Sequence, residues 1–385
     1  MKHPALVPML AGTVPPPDEV RTCLRAITAK PLPNYPDTEA AGSQRMTPEV
    51  LVEAYALEYD CLAPEAASNL AAFLAYEEDT RHLSTGGPPE KGYTLIGAQH
   101  FEVMPHLFAA TCGEVVGLDA AHVALARAQA SALVDWAVKW AEKYAVSEVN
   151  SRALMWPLGK MGEVARVNVA LGVHDDRPLR VCKAVVNRLR VTADVDANGC
   201  AWMTLNNHAD PDDSGDGSGQ ADHDWQRASH WMGGGRGAWA LGIWRDVLPV
   251  IPGVPAEFIV QVAKLHGHAL RCQRYAYDLA AANGAPLGGC VDDYDPTPAG
   301  DYFVHANKDG TPKWMGTMLA FAVGGALTAK RHAPKHWKAL GPHVAAYHAA
   351  ADRFIWRPAK PHTMNRHSAS VALRLAAEFG WRVEP

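Results

Sequence analysis

Residues 156–202 read WPLGKMGEVARVNVALGVHDDRPLRVCKAVVNRLRVTADVDANGCAW, and the fold turns on them. Apolar residues recur at helical spacing from 156 to 173, and the acidic pair Asp175-Asp176 interrupts them. A second helical pattern covers 177–194, and the turn DANGCAW closes the unit at 196–202. Recurrence at i, i+3, i+4 and i+7 marks a helix with one buried stripe. The unit is therefore a pair of helices joined by a short acidic loop.

The same pattern extends along the chain. Helices are predicted at 19–29, from Thr47-Pro48-Glu49 onward, and over 64–82, 119–144, 224–248, 255–283, 313–330, 335–355 and 365–380. Thr47 is a good N-cap, Pro48 suits the first helical position, and Glu49 places an acid in the first turn. Strand-like alternation is limited to 93–101 and 190–196. Helix pairs recur every 40–55 residues or so without a strict sequence repeat, so a solenoid of short repeats is excluded. Long hairpins of helices joined by long loops predict an all-α protein built as an α/α toroid, an incomplete or closed helical barrel. A two-layer helical bundle fits the same periodicity. Residues 1–45, with PPP at 15–17 and PLPNYPD at 31–37, form a Pro-rich arm, and 46–385 form the main domain.

Composition narrows the function. The 385 residues carry a net charge of −5, without the basic surplus of a nucleic-acid binder. No apolar run reaches the roughly 18 residues that span a bilayer. The apolar run near the N-terminus is short and broken by prolines, so no signal peptide is expected. The compartment is left open between extracellular, phage-borne and cytoplasmic. Seven cysteines are scattered without a CxxC spacing, as expected of reduced, buried thiols. Twelve Trp outnumber eight Phe. Because a buried indole N–H needs a partner, this excess points to an aromatic-lined groove or to large wedges between helices.

The chemistry-bearing residues concentrate at 202–244, WMTLNNHADPDDSGDGSGQADHDWQRASHWMGGGRGAWALGIW. Asn206-Asn207-His208 combines amides, which hold a carboxylate without titrating, with an imidazole that moves protons near neutral pH. Trp225, His230, Trp231, Arg236 and Trp239 are candidates for stacking and hydrogen bonding along a groove. The run Gly233–Gly235 suggests a loop or a close backbone approach to a ligand. Asp210, Asp212 and Asp222 are candidate ligands of a loose calcium site, although Ala221 stands where the bidentate acid of a calcium loop is required. Downstream, Arg271 and Tyr275 are four apart and share a helix face, with Arg274 and Tyr277 on the adjacent one. Arg366 and His367 open the last helix. The simpler alternative makes all of these turn, capping or packing residues.

At Asn207-His208 and at RCQRYAY (271–277) the chain resembles the toroidal polysaccharide lyases, the alginate-lyase-like branch in particular. The resemblance covers roughly residues 150–285. It implies a lyase acting on an acidic, uronate-containing polysaccharide or oligosaccharide, without a required cofactor. In that role Asn207 and Arg271 neutralise the uronate carboxylate, and His208 or Tyr275 removes the neighbouring proton. Tyr275 then protonates the leaving oxygen, while Trp225, His230, Trp231, Arg236, Trp239, Tyr277, Arg366 and His367 bind the glycan. This chain departs from the family in the segment ADPDDSGDGSGQADHDW, which separates the triplet from the aromatic helix. Two other readings stay open. One is a toroidal glycoside hydrolase, pairing Asp222 or Asp224 with Asp292, Asp293 or Asp295. The other is a non-enzymatic helical binding or virion-associated module. No dinucleotide fingerprint, phosphate-binding loop, nucleophile elbow or HExxH is present.

Overall fold

The computed structural model describes residues 6, 10, 13–32, 51–79, 103–144, 151–192, 194–195, 201–202, 235–282, 284, 287, 291–294, 302–304, 316–356 and 366–381. These residues are overwhelmingly helical. In chain order the helices are α1 (Asp18–Thr28), α2 (Leu51–Glu58), α3 (Ala66–Asp79), α4 (Val103–Val116), α5 (Ala120–Tyr144) and α6 (Ser151–Leu171). They continue with α7 (Arg177–Thr192), α8 (Arg236–Val247), α9 (Ala256–Ala282), α10 (Gly316–His332), α11 (Pro334–Ala351) and α12 (Arg366–Phe379). Two small antiparallel hairpins interrupt them: β1 (Asp194–Val195) with β2 (Ala201–Trp202), and β3 (Val291–Tyr294) with β4 (Tyr302–Val304). The strand expected at 190–196 shrinks to β1 because α7 runs on to Thr192. Helix α4 and the second hairpin were not predicted.

Local chemistry explains several boundaries. Asp119 Oδ1 accepts the backbone N–H of His122 at 2.8 Å, which satisfies one of the free donors at the start of α5. Asp175 Oδ1 does the same for the N–H of Arg177 at 3.0 Å and starts α7. Helix α6 begins earlier than its sequence pattern suggests, at Ser151, and holds Pro157 inside.

Contacts run along two series. Even-numbered helices touch in the order α4–α6–α8–α10–α12, and odd-numbered helices in the order α3–α5–α7–α9–α11. Helix α12 also packs on α2 and α1, at the other end of the chain. Among the even helices, α6, α8 and α10 run parallel, as their paired residues show. Gly159, Gly162 and Arg166 of α6 meet Trp239, Ile243 and Asp246 of α8. Gly235, Gly242 and Asp246 of α8 meet Ala322, Thr328 and His332 of α10. Helices α5 and α7 are also parallel, with Arg177 and Arg180 of α7 meeting Asp135 and Glu142 of α5.

Helix α8 is the centre of the packing. Residues 237–244 are all buried, between α6, α9 and α10. One interior glycine, Gly242, costs this helix about 1 kcal/mol. Burial of Trp239, Leu241, Ile243, Trp244 and Val247 outweighs that at about 1.5–3 kcal/mol per side chain. The neighbours are small where α8 needs room. A Cβ on Gly159 would stand 1.9 Å from the Trp239 ring, and one on Gly162 would stand 2.7 Å from Ile243 Cγ2. Trp244 is fully buried, and its Nε1–H donates to the Leu158 carbonyl at 2.7 Å. Gly235, at φ +90°, begins α8 where a Cβ would meet Ala322 Cα at 2.6 Å. The close backbone approach suspected at this glycine run is therefore to α10, at Gly235.

The Pro-rich arm joins the same core. Leu6, Leu10 and the α1 residues Val20, Leu24 and Ile27 are buried in one hydrophobic cluster with residues of α2 through α12. No helix among the described residues is long and apolar enough to cross a membrane. The described cysteines, Cys23, Cys61, Cys112, Cys182 and Cys272, form no disulfide, and all but Cys23 are buried.

Candidate functional site

The connections fall into two kinds, according to the series they lead into. Connections from an even helix to the next odd one are short: 59–65, 117–119, 172–176, 248–255 and 333. Such links between packed helices reverse the chain direction. The longest connections, 80–102, 193–235 and 283–315, all lead from an odd helix to the next even one. Because α6, α8 and α10 run parallel, the connections 193–235 and 283–315 lead back into the helices at the same end, where α8 and α10 begin.

Asn207, His208, Trp225, His230 and Trp231 fall in the connection 193–235, and so do Asp210, Asp212, Asp222 and Asp224. All nine lie outside the described residues, as does Asp295. Arg236 is the first residue of α8, His367 is the second of α12, and Asp292 and Asp293 lie on β3.

Three expected ligand-binding residues are packing residues. Trp239 is 4% exposed, its ring centroid is 4.3 Å from that of Phe321, and Gly159 and Gly324 close on it. No face is left for a sugar ring. Tyr277 is 2% exposed, with its ring 4.3 Å from His343. Arg366 is 8% exposed, and its three nitrogens are committed. Nε donates to Glu53 Oε1 at 2.5 Å, Nη1 to the Pro31 carbonyl at 3.1 Å and Nη2 to the Lys30 carbonyl at 2.6 Å. The C-terminal helix uses this arginine to hold the arm and α2.

Arg271 and Tyr275 do share a face of α9. Arg271 is exposed, and its Nη1 donates to His268 Nδ1 at 3.3 Å, while Tyr275 is half-buried against the core. Arg274 pairs with Asp278 at 3.3 Å. Across the seam, on α11, burial and the charges of Arg274 and Arg271 hold His336 below the ordinary histidine range.

At the opposite end the structure assembles a polar network with no local signature in the sequence. Asp246 Oδ1 accepts from His332 Nε2 at 2.7 Å, and Oδ2 accepts from Arg166 at 3.2 Å and Arg331 at 2.5 Å. One carboxylate thus ties α6, α8 and α10 together. His266 lies 5.7 Å from His332, ring to ring. Thr328 gives its only hydroxyl proton to the Gly325 carbonyl at 2.7 Å. His266 Nε2 must therefore donate to Thr328 Oγ1, at 3.1 Å, and Nδ1 accepts from Arg245 at 3.4 Å. That pattern fixes a neutral imidazole. Burial, Arg245 and His332 push its pKa down to about 3.

Acid should weaken this fold. Burial also pushes His343 down to about 4, with Asp278 opposing. A histidine lowered on folding takes up protons in the unfolded chain first. The stability it contributes is complete above about pH 6.5 and falls as pH drops toward the folded value. His266 and His343 should each remove roughly 2 kcal/mol between pH 7.5 and 5. Urea unfolding across that range tests this: His343→Phe, which keeps the ring against Tyr277, should flatten the pH dependence by about that amount. An unchanged slope would refute the assignment.

Comparison with protein-family models, with curated proteins and with solved structures found no match.

Proposed function

We propose that the two helical series close into an α/α toroid and that the end where the even helices begin is the working face of an enzyme. Its substrate is an acidic, uronate-containing glycan, and its reaction is β-elimination. The observation that carries this reading is that the two longest connections, 193–235 and 283–315, lead into α8 and α10 at their shared end, with Asn207 and His208 in the longer of them. Function concentrates on loops held by a rigid scaffold. The parallel register of α6, α8 and α10, that of α5 and α7, and the packing of α12 on α2 and α1 support closure of the toroid.

In this reading the Asn207 amide hydrogen-bonds the uronate carboxylate and steadies the charge that builds beside it. His208 takes the proton from the carbon next to that carboxylate. The electron pair forms the double bond, the glycosidic C–O bond breaks, and Tyr275 supplies the proton to the leaving oxygen. Trp225, His230 and Trp231 line the approach.

The test is incubation with a panel of uronate polymers, following the ultraviolet absorbance of the unsaturated product. His208→Ala should lower the rate roughly 100-fold or more while the melting temperature stays unchanged. Tyr275→Phe should lower it without affecting binding. Absence of the unsaturated product from every polymer, with the chain folded, would end the lyase reading. Release of saturated reducing ends would transfer it to hydrolysis.

A further inference from the structure

The solvent-facing sides of α7, α9 and α11 carry a surplus of positive charge. Three exposed pairs make it up: Lys183 and Arg190 on α7, Lys264 and Arg271 on α9, and Lys335 and Lys338 on α11. Spacings of seven or three residues keep each pair on one side of its helix. None of the six forms an ion pair among the described residues, whereas the nearby acids Glu142 and Asp278 are taken by Arg180 and Arg274. Glu257 and Asp176, at the starts of α9 and α7, are the exposed acids left over, too few to offset six cations. The neighbouring α5 is balanced, with Arg127 and Lys139 against Asp135 and Glu142, and the whole chain carries −5. The surplus therefore belongs to these three helices. Helix α9 packs against both α7 and α11. The charges of Arg271 and Arg274 reach His336 on α11, which sets the cations of α9 and α11 side by side.

We infer that this basic wall docks an acidic polysaccharide and holds it within reach of the working face. The wall is a second contact for the same polymer, so it raises the local concentration of substrate without taking part in the chemistry. The spacing of the charges selects the partner. Lys183 and Arg190, like Lys264 and Arg271, stand seven residues apart, about 10 Å along the helix. Duplex DNA carries one charge per about 1.7 Å and is matched by a denser cluster. A uronate chain carries one carboxylate on each sugar, which sparse lysines can meet singly. The Phe, Tyr and Trp side chains of these helices are buried or half-buried, so no open platform is offered to a nucleic-acid base. The choice of a uronate polymer rests on the lyase reading, while the positive wall itself does not.

The test is isothermal titration of the intact chain with polygalacturonate, with neutral dextran as the uncharged control. Polygalacturonate should bind, dextran should not, and raising salt from about 50 to about 300 mM should weaken binding about tenfold. The combined variant Lys183→Gln/Lys264→Gln/Lys335→Gln/Lys338→Gln should weaken binding about tenfold at low salt with an unchanged melting temperature, since all four side chains are exposed. The matching set of Lys→Arg substitutions should restore it. In turnover, the glutamine variant should raise KM for the polymer and leave the rate on trigalacturonate unchanged. Lysine-dependent binding without any unsaturated product would end the lyase reading and leave the docking wall standing. No binding, unchanged affinity in the glutamine variant, or equal affinity for duplex DNA or for phosphatidylserine vesicles would overturn the proposal, whatever the turnover.

Discussion

Replacing Arg366 with methionine should destabilise the fold by roughly 3–5 kcal/mol, measured by urea unfolding at neutral pH. Glu53 and Arg366 are 6% and 8% exposed, and Glu53 Oε2 is buried without a hydrogen-bond partner among the described residues. Removing the guanidinium leaves a carboxylate in the interior facing apolar neighbours such as Leu70 and Phe108. It also strips the carbonyls of Lys30 and Pro31 of their donors. The cost is therefore that of an orphaned buried charge, which exceeds the net value of the pair itself. The double variant Glu53→Leu/Arg366→Met should recover most of the loss, because both charges disappear together. A single variant that costs less than about 1 kcal/mol would show that water reaches this pair and that the clamp is weak. The experiment also separates packing from recognition. A substrate-binding arginine would change KM and spare the melting temperature, and the burial of Arg366 predicts the reverse.

The second large effect is expected at the contact between α6 and α8. Trp239→Ala should cost about 3–5 kcal/mol, because it empties a site enclosed by Phe321, Gly159 and Gly324. Gly159→Ala should cost about 1–3 kcal/mol or more by the opposite mechanism, driving a methyl group into the indole ring. The two substitutions should not be additive. In the Trp239→Ala background the Gly159 methyl enters vacated space, so its cost should vanish or change sign. Additive costs in the double-mutant cycle would mean that the indole is not seated on Gly159. Trp239 also tests the idea of a stacking platform, since glycan binding per folded molecule should not respond to its loss.

These two cases show what was legible in the sequence. Helices α1, α5, α7, α9, α11 and α12 fall within a few residues of their predicted positions. Their signals are local: periodic apolar stripes, and caps such as Asp119 and Asp175 that bond to an N–H two or three residues on. Helix α4 was missed for a physical reason. Its sequence VMPHLFAATCGEVV has buried residues around most of its circumference, including His106, and contains Pro105. A helix enclosed in the interior has no polar face, so it carries no period to detect.

The candidate site was legible only in part. Asn207, His208, Trp225, His230 and Trp231 declare chemistry by residue type and share one connection, which leads from α7 into α8. Trp239, Tyr277 and Arg366 carried the same residue-type signal but serve packing. The Asp246 network gave no signal at all, because its partners Arg166, Arg331 and His332 lie some 80 residues away on other helices.

The sequence by itself determined the all-helical class and the short hinges between helix pairs, since propensity, capping and periodicity act over a few residues. It also determined which segments carry amides, imidazoles and indoles. Only the tertiary structure decided which of those groups are available. Whether Trp239 is a platform or a wedge depends on Gly159 and Gly324, and whether Arg366 is a ligand or a clamp depends on Glu53. Those partners are remote along the chain, and burial is a property of the assembled surface that no single segment encodes.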